Sequence, residues 1–174
     1  MAQRVQPVRD GLLVGCIAYL AVAVFYSVFD FLAARGSLYT VNLLGRSVFR
    51  GLRDPIVLQY AVQLDMTAIF LYNALHFAVA LAIGLVVMWL VSHAERYPQR
   101  AAGVLLVIVA GFVATILAVG WLSAPIRPVL PWWSIVVANS LAVMLAAVYV
   151  LRVRGEGLRR LLPLSPSGGR VQGA

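Results

Sequence analysis

Two polar trios share one spacing. Tyr19, Tyr26 and Asp30 stand at i, i+7 and i+11, and Asp65, Tyr72 and His76 repeat the pattern. On an ideal helix each trio falls within about 40° of arc, so each helix would present one narrow polar stripe. Asn73 lies beside the second stripe. Carboxylates, phenols and an imidazole in such a row could hold a small polar ligand or relay a proton, because ionisable groups at membrane depth mark such sites. The competing reading is structural: tyrosine, asparagine and histidine hydrogen-bond across helices and set their register, each worth about 0.5–2 kcal/mol.

Other chemistries find too few residues. A bis-histidine haem site wants a second histidine at matching depth, whereas His93 lies seventeen residues further along the same segment as His76. Asp65 and His76 alone make a thin metal set. Ser140 and Thr115 lack a companion base beyond His76, and no nucleophile motif surrounds them. The expectation is therefore no catalytic residue, no metal and no cofactor, and a protein that is not an enzyme. Transport needs a polar path through both leaflets, and the inner half offers only Tyr19 and Cys16.

The segments that carry these residues are built for lipid. Of 174 residues, 63% are hydrophobic and 11% charged, with a mean hydropathy of +0.93; an ordinary soluble domain is about a quarter charged. Apolar runs at Leu12 to Ala34, Ala68 to Ser92, Ala101 to Trp121 and Trp132 to Leu151 each approach or exceed the ~20 residues needed to cross a bilayer core. Backbone groups in hydrocarbon must bond internally, so the spans should be helices. The expected fold is all-α, a polytopic membrane protein of four transmembrane helices, forming one domain over residues 1–164. The small, polar residues 165–174 should be a disordered tail. The single cysteine, Cys16, excludes an internal disulfide and reads as a packing residue of the first span.

All fourteen basic residues are arginine, and the net charge is +8. They flank spans, which points to topology signals and contact with anionic lipid rather than to nucleic acid. Four spans place Arg4, Arg9, Arg96, Arg100, Arg152, Arg154, Arg159, Arg160 and Arg170 on one side. Arg35, Arg46, Arg50, Arg53 and Arg127 fall on the other. The excess favours cytoplasmic termini. With that orientation Tyr26, Tyr72, Asn73, His76, Thr115, Asn139 and Ser140 fall in one layer of the outer half, with Asp30 and Asp65 above it.

Between the first two spans, Val41 to Arg53 reads as an interfacial amphipathic helix. Arg46, Arg50 and Arg53 share one face, Val41, Leu44, Val48 and Leu52 the other, and Thr40 is a candidate cap. Asp54-Pro55 reads as a break and a new helix start. A single helix from Pro55 to Ser92 would reach roughly 57 Å, so a kink near Asp65 to Thr67 or a tilt is expected. Trp121, Trp132 and Trp133, and Trp89 with Tyr97, form candidate aromatic belts at opposite interfaces. Ala110, Ala114 and Ala118, beside Gly103 and Gly111, make a row of small residues of the kind that lets helices approach closely.

Leu38-Tyr39-Thr40-Val41-Asn42-Leu43-Leu44-Gly45, then Leu71-Tyr72-Asn73-Ala74-Leu75-His76-Phe77, then Glu95-Arg96-Tyr97-Pro98 resembles a pattern in uncharacterised small four-span bacterial integral membrane proteins. The resemblance covers roughly residues 12–98. It implies four spans in a bacterial cytoplasmic (inner) membrane and carries no activity. The expected role is a non-enzymatic accessory or interaction subunit. Its partners would be the lipid bilayer with its anionic lipids, and another membrane protein or a second copy. The candidate ligand or partner residues are Tyr26, Asp30, Asp65, Tyr72, Asn73, His76 and Asn139. Lipid contact falls to Arg46, Arg50, Arg53, Arg152, Arg154, Arg159 and Arg160. The alternative is a small-solute or proton-linked transport component using Asp30, Asp65 and His76, or a small-ligand sensor.

Overall fold

A computed structural model describes residues 2–52, 54 and 63–159, the side chains of 2–5, 125 and 156–159 excepted. It contains five α-helices and two short 3₁₀ turns, with no strand among the described residues. The helices are α1 (Ala2–Leu32), α2 (Tyr39–Phe49), α3 (Met66–Arg96), α4 (Ala101–Leu122) and α5 (Trp132–Arg159). All except α2 are long and apolar enough to cross a membrane. The chain has the architecture of a multi-pass membrane protein, as its hydropathy pattern predicts. The proposed tail at 165–174 and the proposed helix start at Pro55 lie outside the described residues.

Helix α1 begins well before Leu12, where the apolar run starts, and so carries Asp10 inside the helix. Ala34 and Gly36 follow it with φ of 54° and 84°, the left-handed conformation that turns the chain back sharply. The Gly36 carbonyl then accepts from the Tyr39 amide at 3.0 Å, and α2 begins.

The interfacial helix is shorter than expected and differently rotated. Thr40, Leu43, Leu44 and Ser47 form its buried stripe at helical spacing, with Asn42 and Gly45 also buried, whereas Val48 and Phe49 are exposed. Leu43 and Leu44 join Ile126, Leu130 and Ile135 in a hydrophobic cluster. The apolar face of α2 thus closes one end of the bundle instead of resting on lipid. Gly45 permits this, because a Cβ there would collide with the Ala68 backbone.

Helix α3 is preceded by the non-helical residues 63–65. It starts cleanly at Asp65, whose carboxylate accepts from the Ala68 amide at 2.9 Å. This satisfies one of the orphan amides of the first turn.

Packing centres on α1, which lies against both α3 and α5. The α1–α3 crossing is tight because Gly11 and Gly15 face Gly84. A Cβ on Gly11 would sit 2.9 Å from the Leu85 Cα, one on Gly15 would sit 2.7 Å from the Ala80 oxygen, and one on Gly84 would strike the Gly11 oxygen. This is a Gly-x-x-x-Gly interface, in which missing side chains let backbones make contact. The anticipated small-residue row lies elsewhere. Ala110, Ala114 and Ala118 are exposed on α4, and Gly103 and Gly111 have open space around them. Helix α4 touches the bundle at a few points, Ile108 and Val119 among them, and no residue of its most apolar stretch is buried.

Candidate functional site

Polar side chains gather at three levels of the bundle. At the α2 end, Asp30 is fully buried at the last turn of α1. It accepts from the Thr40 amide at 2.6 Å and from the Thr40 hydroxyl at 2.7 Å. Arg35 stands 3.8 Å from the same carboxylate, donates to the Val129 carbonyl at 3.1 Å, and lies over the Phe29 and Tyr39 rings. Thr40 is therefore not the cap of α2. The cap comes from a neighbouring helix: Asp30 supplies the anion favoured at a helix N-terminus.

Asn42 ties the other side of this end together. Its amide nitrogen donates to the Gln63 carbonyl at 3.1 Å and its oxygen accepts from the Asp65 amide at 2.9 Å. Arg46 also donates to the Gln63 carbonyl, at 3.2 Å. Arg50 Nε donates to Asp65 at 2.9 Å. The Arg50 hydrogen bond, then the Ala68 amide, hold the Asp65 carboxyl below the usual carboxylate range, and the hydrogen bond to Asp65 in turn raises Arg50. Arg46 and Arg50, expected to contact lipid, also order the entry to α3. Arg53 lies outside the described residues.

The middle level shows that the two stripes do face each other. Tyr19 donates to the Asn73 oxygen at 3.0 Å, and its ring meets His76 and Phe77 edge-on at 5.3 and 5.1 Å. Asn73 donates back to the Ile69 carbonyl of its own helix at 2.9 Å. Tyr72 lies 5.9 Å from His76, centroid to centroid. Tyr26 turns to α5, where its hydroxyl is 3.4 Å from the Ser134 Oγ. The anticipated single layer does not close. Asn139 and Thr115 bond carbonyls one turn back on their own helices, those of Ile135 and Gly111, and Ser140 is exposed.

The third level was not anticipated. At the end holding the two termini, Arg154 Nη2 and Nε donate to Asp10 at 3.0 and 3.2 Å, and Nη1 donates to Glu95 at 3.0 Å. Asp10 is 1% exposed, and it also accepts from the Tyr149 hydroxyl at 3.4 Å. Arg9 approaches it at 3.6 Å from the solvent side. One guanidinium thus joins α1, α3 and α5. Arg154 is not a lipid-facing residue, because two carboxylates from neighbouring helices enclose it. Arg152 is exposed, whereas Arg160 and the Arg159 side chain lie outside what is described. The apolar run beginning at Leu12 leaves Asp10 outside the first span, whereas α1 includes it. The signal was the recurrence of Asp10, Glu95 and Arg154 at like-sided helix ends.

Chemically, the four carboxylates of these levels serve as caps and ion pairs. Asp30 and Asp65 do not meet each other or His76, which makes no hydrogen bond among the described residues. No group of three or more His, Cys, Asp or Glu able to hold a metal ion occurs among the described residues. Comparison with known protein families, with curated proteins and with solved structures finds no match.

Proposed function

We propose that this chain is a small, non-enzymatic accessory or interaction subunit of a bacterial cytoplasmic membrane, with both termini in the cytoplasm. The observation that carries this reading is the contrast between α4 and its neighbours. Helices α1, α3 and α5 bury residues against one another, while the central stretch of α4 buries none. Its exposed small residues, Ala110, Ala114 and Ala118, offer a surface on which a partner helix can approach closely. The arginine excess at the terminal side favours the orientation. Transport through Asp30, Asp65 and His76 draws less support, because both carboxylates are engaged by backbone amides and arginines.

Single cysteines placed along α4 in a Cys16→Ser background, cross-linked in host membranes, test the reading. Adduct formation at 110, 114 and 118 with one partner of constant mass, and little on the opposite face, is the expected result. Uniformly absent cross-links around the helix would refute it. A reporter active only outside the cytoplasm should be silent at the C-terminus.

A further inference from the structure

A groove of 620 Å³ opens between the start of α1 and the last three turns of α3, lined by Pro7, Val8, Leu85, Trp89, Ser92, His93, Arg96 and Tyr97. We propose that it binds an anionic phospholipid, with the phosphate at Arg96 and Arg100 and an acyl chain along Leu85 and Val8. From Leu85 to Arg96 the wall extends about 16 Å along the helix axis. It runs from apolar to aromatic to cationic, the order that a phospholipid presents from tail to headgroup.

The aromatic section is a built ladder. Trp89 and His93 stack at 6.0 Å, and His93 and Tyr97 follow at 4.9 Å. Arg100 lies 5.3 Å over the Tyr97 ring and donates to His93 Nε2 at 3.4 Å. Tryptophan and tyrosine favour the membrane–water boundary, which sets this ladder at headgroup depth. Among the described residues, no acidic side chain lines the groove and neither Arg96 nor Arg100 forms an ion pair. The neighbouring Glu95 is already paired with Arg154.

Ser92 adds an independent sign. It lines the groove, and its hydroxyl oxygen is buried with no hydrogen-bond partner among the described residues. A buried hydroxyl in that state is costly, so a headgroup oxygen that gained access to it as the groove filled would be favoured. Phosphate is held best by charged donors in combination with such a hydroxyl.

The test is native mass spectrometry of the full chain, delipidated in detergent and titrated with phosphatidylglycerol or phosphatidylcholine of identical chains. One phosphatidylglycerol should bind in preference to phosphatidylcholine, and Arg96→Gln should weaken it about fivefold, the usual effect of one basic residue near a headgroup. The exposed Arg152→Gln, on another helix, should leave binding unchanged. Arg96 is exposed and unpaired, so its variant should melt as the parent does; Arg100→Gln repeats the test independently. Equal binding of the two lipids, or equal loss in Arg152→Gln, would overturn the proposal. So would inorganic phosphate that binds alone as tightly as the lipid, since the site would then be one for a free anion.

Discussion

The two ends of the bundle handle buried charge in different ways. At the α2 end, Asp30 and Asp65 each bond a backbone amide of a helix first turn, with an arginine in attendance. At the terminal end, Asp10 and Glu95 share one guanidinium, and the donors around them are side chains, Arg154 and Tyr149. The first arrangement places helices α2 and α3. The second clamps α1, α3 and α5 together. Amide caps contribute about 0.5–2 kcal/mol each, whereas removing one member of a buried charge pair costs about 3–5 kcal/mol. The terminal end should therefore be the more vulnerable of the two.

The largest effect should follow Arg154→Ala, which leaves the buried Asp10 with only the Tyr149 hydroxyl and the exposed Arg9 beside it. A loss of about 3–5 kcal/mol is expected, seen as a lower melting temperature in detergent. Pairing it with Asp10→Asn should recover part of that loss, because the uncompensated charge is gone. Strictly additive losses would break the contrast between the ends.

Next comes the helix crossing that both ends depend on. Gly84→Ala or Gly15→Ala should force α1 and α3 apart at a cost of about 1–3 kcal/mol. Gly111→Ala, on the open side of α4, should stay within about 0.5 kcal/mol in the isolated protein. If Gly111→Ala proved as damaging as Gly84→Ala, α4 would be packed within the chain.

Asp30→Ala should cost about 1–3 kcal/mol, since it strips the Thr40 amide and hydroxyl of their acceptor. Proteolysis or hydrogen exchange should show the loosening at α2 and leave the Arg154 level protected.

The smallest effect is pH-dependent. Arg50 lowers the folded pKa of Asp65, so the pair adds stability above the unfolded value of about 3.9 and loses it as pH falls through the lower folded value. Asp65→Asn should flatten that part of the acid-stability profile by lowering the neutral-pH melting temperature slightly, while leaving stability at the acid end as it is. An unchanged acid profile would remove Asp65 from the account.

The spans were legible because twenty-residue apolar runs allow few other structures. The two stripes themselves were legible from their shared spacing, but not that they face each other, because helix rotation is set by packing and shows only in the Tyr19 contacts with Asn73 and His76. The fate of Asp30 was not legible either. A carboxylate that ligates a substrate and one that caps the next helix look alike until the turn at Ala34 and Gly36 brings Thr40 back to it. Asp10 was misplaced for a related reason: hydropathy starts a span after a charge, but Arg154 neutralises that charge and lets the helix begin earlier. Gly11 and Gly15 do not stand out in the sequence, because the alanine row at 110, 114 and 118 is equally capable of close packing. Only the partner surface, with Gly84 opposite, distinguishes them.

Native mass spectrometry of the tagged chain, gently extracted from its host's membranes, tests the central claim most directly. The account predicts a heterologous membrane protein at fixed stoichiometry, displaced when Ala114→Leu roughens α4 while the isolated chain melts as before. A lone monomer that retains a small polar solute, lost on Tyr72→Ala or His76→Ala, would contradict it and make the middle polar level the working site.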